Sequence, residues 1–355
     1  MRQFLDFIRL LVIGTTIIVT LPGPARALQI APTFDPTSFG GDPNAVAQEA
    51  AINTAVTTIE GLYSNPGTVQ LLFEFNNGLG GGSDTDAGYQ FVPYSEYTTN
   101  LAAISAEHPN NAVLATAVAN LSSGNSGNYV LATTALLRVG QGYSGATPCF
   151  NSSGAFVTNG SNQCDGIFDA VISIGTSSTT NAGPGQNSQA VSEMEHEIDE
   201  ALGGGGAGTT IGENLSGDLC PHTVTCNLTA IGPTDFYRYA STTTSCANVT
   251  STTSYVTSSS NAVCYSIDGG KTALVQMNEA GGGSDYGDFV TPSSGPPNIQ
   301  DAFYSCCSNK YTDASPEFTM MESIGYDAPE PSTLALFSGA IAGLGWMRRR
   351  RARSG

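Results

Sequence analysis

The stretch Glu193–Gly208, "EMEHEIDEALGGGGAG", contains the order His196-Glu197-x-x-Glu200. At about 100° per residue, Glu193, His196, Glu197 and Glu200 fall within one stripe of a helix. The opposite stripe is apolar and consists of Val191, Met194, Ile198, Ala201 and Leu202. The stretch therefore predicts an amphipathic helix that buries one face and presents an imidazole among carboxylates on the other. Asn187 or Ser188 can cap its start, and Gly203 is placed to end it in a left-handed turn.

The polar stripe has the residue types of a divalent metal site. Residues four apart on a helix point the same way, so His196 can supply a nitrogen ligand and Glu200 an oxygen ligand to zinc. Glu197 stands beside them and can take a proton from a water that the metal activates. With Glu200 in place of a second histidine, the site is harder and can favour another divalent cation. The alternative interpretation is a solvated acidic helix face.

A third ligand has to come from the loops that follow the helix. The candidates are Glu213, Asp218, His222 and Asp235. We favour Asp235, because "TDFYRYA" (234–240) places it among aromatic residues that can form a cleft wall. Tyr237 of the same segment is then a candidate to orient a substrate oxyanion.

The motif resembles the helix signature of secreted bacterial zincin-like metallopeptidases, and in particular that of the matrixins. The pattern H-E-x-x-H-x-x-G-x-x-H/D matches at His196, Glu197 and Gly203, and it departs at Glu200 and Gly206. The segment "SPEFTMMESIGYD" (315–327) looks like the last helix of a matrixin catalytic domain. The resemblance implies a single α+β domain with a mixed sheet, an active-site helix and a loop-rich C-terminal half. It also implies a peptide or protein substrate.

Both ends of the chain look like targeting segments. Residues 1–27 have arginines, an apolar run and Ala25-Arg26-Ala27, which is the order of a cleaved signal peptide. Residues 329–355 begin with Pro-Glu-Pro, continue with a short apolar stretch and end in an arginine cluster. This tail resembles the PEP-CTERM sorting signal of Gram-negative bacteria. The resemblance implies sorting by an exosortase, export to the cell envelope or beyond, and membrane contact only through the two end segments, the tail with a short transmembrane segment.

The remaining domain, residues 28–328, is strongly acidic. Of the 30 acids, Asp6 and Glu330 lie outside it, so 28 acids face four cations and the net charge is −24. Such a surface repels phosphate backbones and excludes a nucleic-acid partner. The Asp-rich segments "GLGGGSDTDAG" (78–88) and "GGGSDYGDF" (281–289) are either plain turns or oxygen-rich calcium loops.

All eight cysteines lie in the exported part, which predicts disulfides. The local pairs Cys149–Cys164, Cys220–Cys226 and Cys246–Cys264 would each close a polar loop. Cys306 and Cys307 are adjacent and can pair with each other or elsewhere. The segment "CPHTVTC" (220–226) also has the spacing of metal ligands, although an exported protein favours the disulfide.

Sequence patterns predict a helix over residues 45–64, a strand over 68–75, helices over 94–109 and 111–123, and a strand over 165–175. Residues 128–140 are apolar enough for a strand, although their spacing also fits a helix. Residues 28–43 read as an irregular Pro/Gly-rich lead, and 78–88 as a long turn. The motif helix follows, and then a loop-rich half (204–328) that ends in a helix capped by Ser315. The mixed order favours an α+β domain with one sheet, whose first half is 44–203.

Two functions from different classes fit these observations. The first is an exported metallopeptidase with zinc or another divalent cation on His196, Glu200 and Asp235, and with Glu197 as general base. The second is a non-catalytic surface or matrix protein that keeps the scaffold and binds cations or partners. A structural biofilm component would also fit the sorting tail alone.

Overall fold

A four-stranded sheet forms the base of the fold in the computed structural model. Three strands are parallel, in the order β1-β2-β6, and β3 closes the sheet as an antiparallel edge strand beside β6. All six residues of β6 are buried, as expected for a strand covered on both faces. The strands in the described part of the chain are β1 Leu28–Phe34, β2 Gly67–Asn76, β3 Ser83–Ala87, β4 Tyr89–Pro93, β5 Tyr129–Thr133, β6 Ala170–Gly175, β7 Arg238–Ala240, β8 Val263–Tyr265 and β9 Val275–Met277.

Six α-helices accompany these strands in the part of the chain that the structure describes. The predicted helices of the first half, the motif helix and the last helix are all confirmed. The six helices, of which the sequence does not predict α1, are α1 Pro36–Phe39, α2 Ala45–Leu62, α3 Tyr94–Glu107, α4 Ala112–Ala119, α5 Gln189–Leu202 and α6 Pro316–Ile324. The described residues are 27–40, 42–76, 79, 82–121, 129–159, 163–175, 188–204, 231–247, 261–279, 287–291, 297–302 and 310–329.

Two segments predicted to be irregular are strands. β1 lies in the supposed lead, and its Pro32 is tolerated because β1 is at the edge of the sheet. β3 lies in the supposed turn. Its burial alternates with a period of two residues, but the glycines before it are typical of a turn. Ser83 and Thr85 are partly buried, whereas Asp84 and Asp86 are exposed. Pairing with β6 stabilises β3 although its own residues have low strand propensity.

The expectation of one sheet is wrong in number, because the described strands form three sheets. β4 and β5 make an antiparallel pair, and β7, β8 and β9 make a small antiparallel sheet in the second half. The segment 128–140 divides after β5, and residues Leu136–Gly140 form a π-helical turn. The mixed character predicted for the main sheet is confirmed.

Two of the predicted disulfides are present. Cys149–Cys164 closes the loop before β6, and Cys246–Cys264 ties a loop of the second half to β8. Cys220, Cys226, Cys306 and Cys307 lie outside the described residues, as do residues 1–26 and 330–355.

Helix α5 packs against α2, β3 and β6. The predicted apolar stripe is confirmed, because Val191, Met194, Ile198, Ala201 and Leu202 are all fully buried. The polar residues of α5 are also largely buried, since other elements cover the second face as well. His196 is the one residue after Ala190 in this helix that retains intermediate exposure.

Candidate metal centre

Both ends of α5 are fixed by local contacts that its sequence predicts. The Ser188 hydroxyl accepts a hydrogen bond from the backbone N–H of Val191 at 3.3 Å and caps the start. Gly203 adopts the left-handed conformation, with φ of 101°, and its N–H bonds the carbonyls of the last turn. The helix thus presents His196 and Glu200 one turn apart.

The structure brings Asp288 to this pair of side chains. His196 Nε2 lies 3.4 Å from Glu200 Oε1 and 3.6 Å from Asp288 Oδ1. One ligand atom from each residue lies within 4.8 Å of the others. Ligand atoms about 2.1 Å from a tetrahedral zinc ion are about 3.4 Å apart, so the two separations from the imidazole fit a shared cation. One nitrogen and two carboxylate oxygens are a donor set for zinc or a harder divalent ion.

The imidazole is oriented by a backbone carbonyl. His196 Nδ1 lies 2.9 Å from the carbonyl oxygen of Ile299. Because a carbonyl oxygen only accepts, Nδ1 carries the hydrogen, and Nε2 is the nitrogen that faces Glu200 and Asp288. Histidine ligands in metal sites are commonly held in this way by a second hydrogen bond.

The loops that supply Ile299 and Asp288 are bound to each other and to α5. Gln300 donates its side-chain amide to the carbonyl of His196 at 3.2 Å, and its backbone N–H to Glu317 Oε1 at 3.1 Å. Phe289, next to Asp288, donates its N–H to the carbonyl of Gln300 at 2.6 Å. Asp288, the third residue of the cluster, is therefore placed by hydrogen bonds between residues far apart in the sequence.

The charges of the cluster favour a cation at its centre. Burial lowers the pKa of His196, but the negative charges of Glu200, Asp288 and Glu197 outweigh it and raise the pKa well above its usual value. Burial, together with the charge of Glu197, raises the pKa of Glu200 well above the usual carboxyl range. A proton on the imidazole or a divalent cation can supply the positive charge that this position favours.

The carboxylate of Glu197 is bound by two hydroxyls of β3. Its Oε1 accepts the hydroxyl of Ser83 at 2.6 Å, and its Oε2 accepts the hydroxyl of Thr85 at 2.5 Å. The side chain is about as buried as that of Glu200, and its charge acts on both His196 and Glu200. Glu197 is thus next to the cluster and held by the edge strand.

Asp235 and Tyr237 occupy structural positions in the second half. Asp235 accepts the N–H of Gly232 at 2.6 Å and closes the turn at the start of a 3-10 helix, Thr234–Tyr237. Among the described residues, the group that can hold a metal consists of His196, Glu200 and Asp288 and does not include Asp235. Tyr237 is buried, and its hydroxyl donates to the carbonyl of Ser323 in α6 at 3.0 Å.

The other candidates for a third ligand, Glu213, Asp218 and His222, lie outside the described residues. Asp288 was overlooked as a partner of His196, although its segment, 281–289, had been singled out as a possible calcium loop. The sequence does not indicate that this loop comes close to α5. Ser83 and Thr85 were overlooked because their segment was interpreted as a turn.

Residues 327–351 match the PEP-CTERM protein-sorting motif. The chain is therefore an exported protein of the class that an exosortase sorts at the cell envelope. No curated protein and no solved structure matches the chain.

Within the described ranges, no helix is long and apolar enough to cross a membrane. The short span predicted in the sorting tail lies beyond residue 329, outside those ranges.

Proposed function

We propose that the exported domain is a zincin-like metallopeptidase. The observation that carries this proposal is the convergence of His196, Glu200 and Asp288 on one point, with Glu197 of the same helix beside them. The mixed sheet packed on the motif helix, followed by a loop-rich half, supports a zincin-like fold.

In this proposal three residues bind the cation and the fourth transfers protons. His196, Glu200 and Asp288 would hold the cation through Nε2 and two carboxylate oxygens. A divalent cation bound there lowers the pKa of a coordinated water and polarises a peptide carbonyl. Glu197 would accept the proton of the attacking water and return it to the leaving amine, while Ser83 and Thr85 keep its carboxylate in place.

The position of β3 supports a peptide as the substrate. Among the described strands, β3 pairs with β6 on one side only, so its other edge can receive an extended chain. Strand addition supplies main-chain hydrogen bonds to such a peptide without requiring a particular sequence. Because Ser83 and Thr85 of β3 contact Glu197, a peptide on this edge would run alongside the metal centre.

The proposal is tested by casein cleavage with the full-length protein, assayed with zinc or manganese and with a chelator. We expect cleavage that the chelator abolishes and the metal restores. Glu197→Gln keeps the size of the side chain and removes the base, so it should bind metal and lose activity by about a hundredfold or more. Glu200→His restores the usual zincin ligand and should retain zinc. Metal binding without cleavage in the wild-type protein would reject the peptidase.

A non-catalytic cation-binding scaffold is the second candidate function. The observation that favours it is the engagement of both Glu197 oxygens by β3 hydroxyls, which gives this carboxylate a structural role as well. The two functions differ in one outcome. A scaffold would bind a cation at His196, Glu200 and Asp288 and gain stability from it, yet cleave no peptide.

A further inference from the structure

The hydroxyl of Ser83 lies between two carboxylates of α5. Its Oγ is 2.6 Å from Glu197 Oε1 and 3.0 Å from Glu193 Oε1. The two glutamates are one helical turn apart, and their side chains are almost fully buried, with 8% of Glu193 and 5% of Glu197 exposed. The second oxygen of Glu193, Oε2, is buried and has no hydrogen-bond partner among the described residues.

Counting hydrogens shows that Ser83 cannot donate to both carboxylates. A serine hydroxyl has a single hydrogen and can donate it to only one of the two glutamates. The shorter contact, 2.6 Å, is the one with Glu197, so the serine hydrogen is assigned to that contact. The contact with Glu193 is then a hydrogen bond only if Glu193 donates its own proton to the serine oxygen.

We propose that Glu193 is a positioning residue that carries a proton near neutral pH and, through Ser83, keeps the side chain of Glu197 in place. The chain of donation runs from the Glu193 carboxyl to the Ser83 hydroxyl and on to the Glu197 carboxylate. This inference rests on the proposed peptidase function, in which Glu197 is the base. Burial raises the pKa of Glu193 to about 7, and the negative charge of Glu197 adds to the rise.

The charged groups around Glu193 agree with a proton on this residue. On its own helix Glu193 faces Glu197, whose charge favours the neutral form, and His196, whose charge opposes it. The neighbouring strand β6 has no charged residue. The strand β3 contributes Asp84 and Asp86, which lie on its exposed face. The helix α2 contributes Glu49 and Glu60, and Glu60 accepts a hydrogen bond from the N–H of Ile30.

The arrangement predicts a specific loss of activity at alkaline pH. When Glu193 ionises, it stops donating to Ser83, competes for the serine hydrogen and places a second negative charge beside Glu197. Glu197 then loses the hydrogen bond that fixes its position. We expect kcat to fall as the pH rises through about 7, with little change in KM, because Glu193 does not contact the substrate.

Glu193→Gln tests this inference in the full-length protein. The glutamine amide donates at every pH, so the variant should keep kcat within about twofold at pH 6 and should lose the alkaline decline. Ser83→Ala breaks the chain of donation, and Glu193→Gln should no longer alter the pH profile in that background. Ser83→Thr keeps the hydroxyl and should restore the coupling. Asp84→Asn, on the exposed face of the same strand, is the matched control and should leave the profile unchanged.

A second readout separates this inference from the peptidase proposal. In protein labelled with carbon-13 at glutamate carboxyls, the signal that is absent from Glu193→Gln should titrate with a midpoint near 7. If that signal titrates but no peptide is cleaved, the peptidase fails and, with it, the role of Glu193 in supporting a base. If peptide is cleaved while Glu193 is already ionised at pH 5, or while Glu193→Gln retains the alkaline decline, the inference alone is overturned.

Discussion

Two buried acidic regions of the molecule receive their positive charge from different side chains. Asp169 is fully buried, and Arg138 Nη2 contacts its Oδ2 at 2.6 Å, while Gln70 N and Thr134 Oγ1 donate to the same carboxylate. Burial raises the pKa of Asp169, but the guanidinium and these hydrogen bonds oppose the rise. At the metal centre, Glu200 and Asp288 meet the imidazole of His196.

The difference lies in whether the positive charge can be exchanged. A guanidinium stays protonated at every physiological pH, so the Arg138–Asp169 pair is a permanent part of the fold. An imidazole carries its charge only when it is protonated, and its neutral form offers Nε2 to a metal. The first region therefore stabilises the structure, whereas for the second we propose that a divalent cation can replace the proton.

The largest effect is expected from removing the exchangeable group. His196→Ala should weaken binding of zinc or manganese by more than about a hundredfold, because a ligand contributes more than the outer hydrogen bonds that change affinity by 10–100-fold. Isothermal titration calorimetry of the folded variant measures this loss. His108→Ala, which alters a histidine at the partly exposed pair with Asp327, is the control and should bind as the wild type does.

Breaking the Arg138–Asp169 pair should lower the stability of the fold and leave metal binding unchanged. Arg138→Met leaves Asp169 buried beside an apolar side chain and should lower the free energy of unfolding by about 3–5 kcal/mol. Chemical denaturation measures the loss. Under conditions in which the variant remains folded, its metal stoichiometry and affinity should be unchanged. A parallel loss of metal binding would show that the two regions are not independent.

A smaller effect is expected from loosening the loop that orients His196. Gln300→Ala removes the side-chain bond to the His196 carbonyl and should weaken metal binding by about tenfold, since it acts through the position of Ile299 and the imidazole. Asn298→Ala is a matched control in the same loop, because its side-chain amide donates to Asp301. Equal affinities for both variants would contradict the orienting role.

The smallest effect concerns the pH dependence of stability. Burial raises the pKa of Glu195 to about 8 and those of Glu317 and Glu322 to about 7. Carboxyls with a raised pKa bind more protons in the folded state, so the free energy of unfolding should fall as the pH rises from about 4.5 to 8. The melting temperature of chelator-treated protein should decrease over that interval, and Glu322→Gln should make the decrease shallower. A rising melting temperature would contradict this sign.

The half of the metal centre that lies on α5 was predictable, and the other half was not. His196 and Glu200 share a face because of the period of the helix, which is a local property. Asp288 follows 88 residues after Glu200, and its position depends on loop hydrogen bonds through Phe289 and Gln300. No local pattern records such contacts, so Asp235 was chosen on the composition of its segment.

The fold shows the same division. Strands β2 and β6 are rich in β-branched and aromatic residues, and α2 and α5 have helical periodicity, so their patterns predicted them. The strand β3, "SDTDA", is polar and follows glycines, and it forms because β6 and the acids of α5 offer partners to its backbone and its hydroxyls. The hydroxyls of β3 connect the edge of the sheet to Glu197 and Glu193.

Whether His196, Glu200 and Asp288 bind a divalent cation is tested most directly by titrating metal into the chelator-stripped full-length protein. Calorimetry measures the binding, and the melting temperature measures its effect on stability. We expect one divalent cation to bind per chain and to raise the melting temperature. Asp288→Ala should lose both the binding and the rise in melting temperature, whereas Asp235→Ala should retain both. Absence of binding by the folded wild-type protein, or binding that survives in Asp288→Ala and disappears in Asp235→Ala, would contradict this expectation.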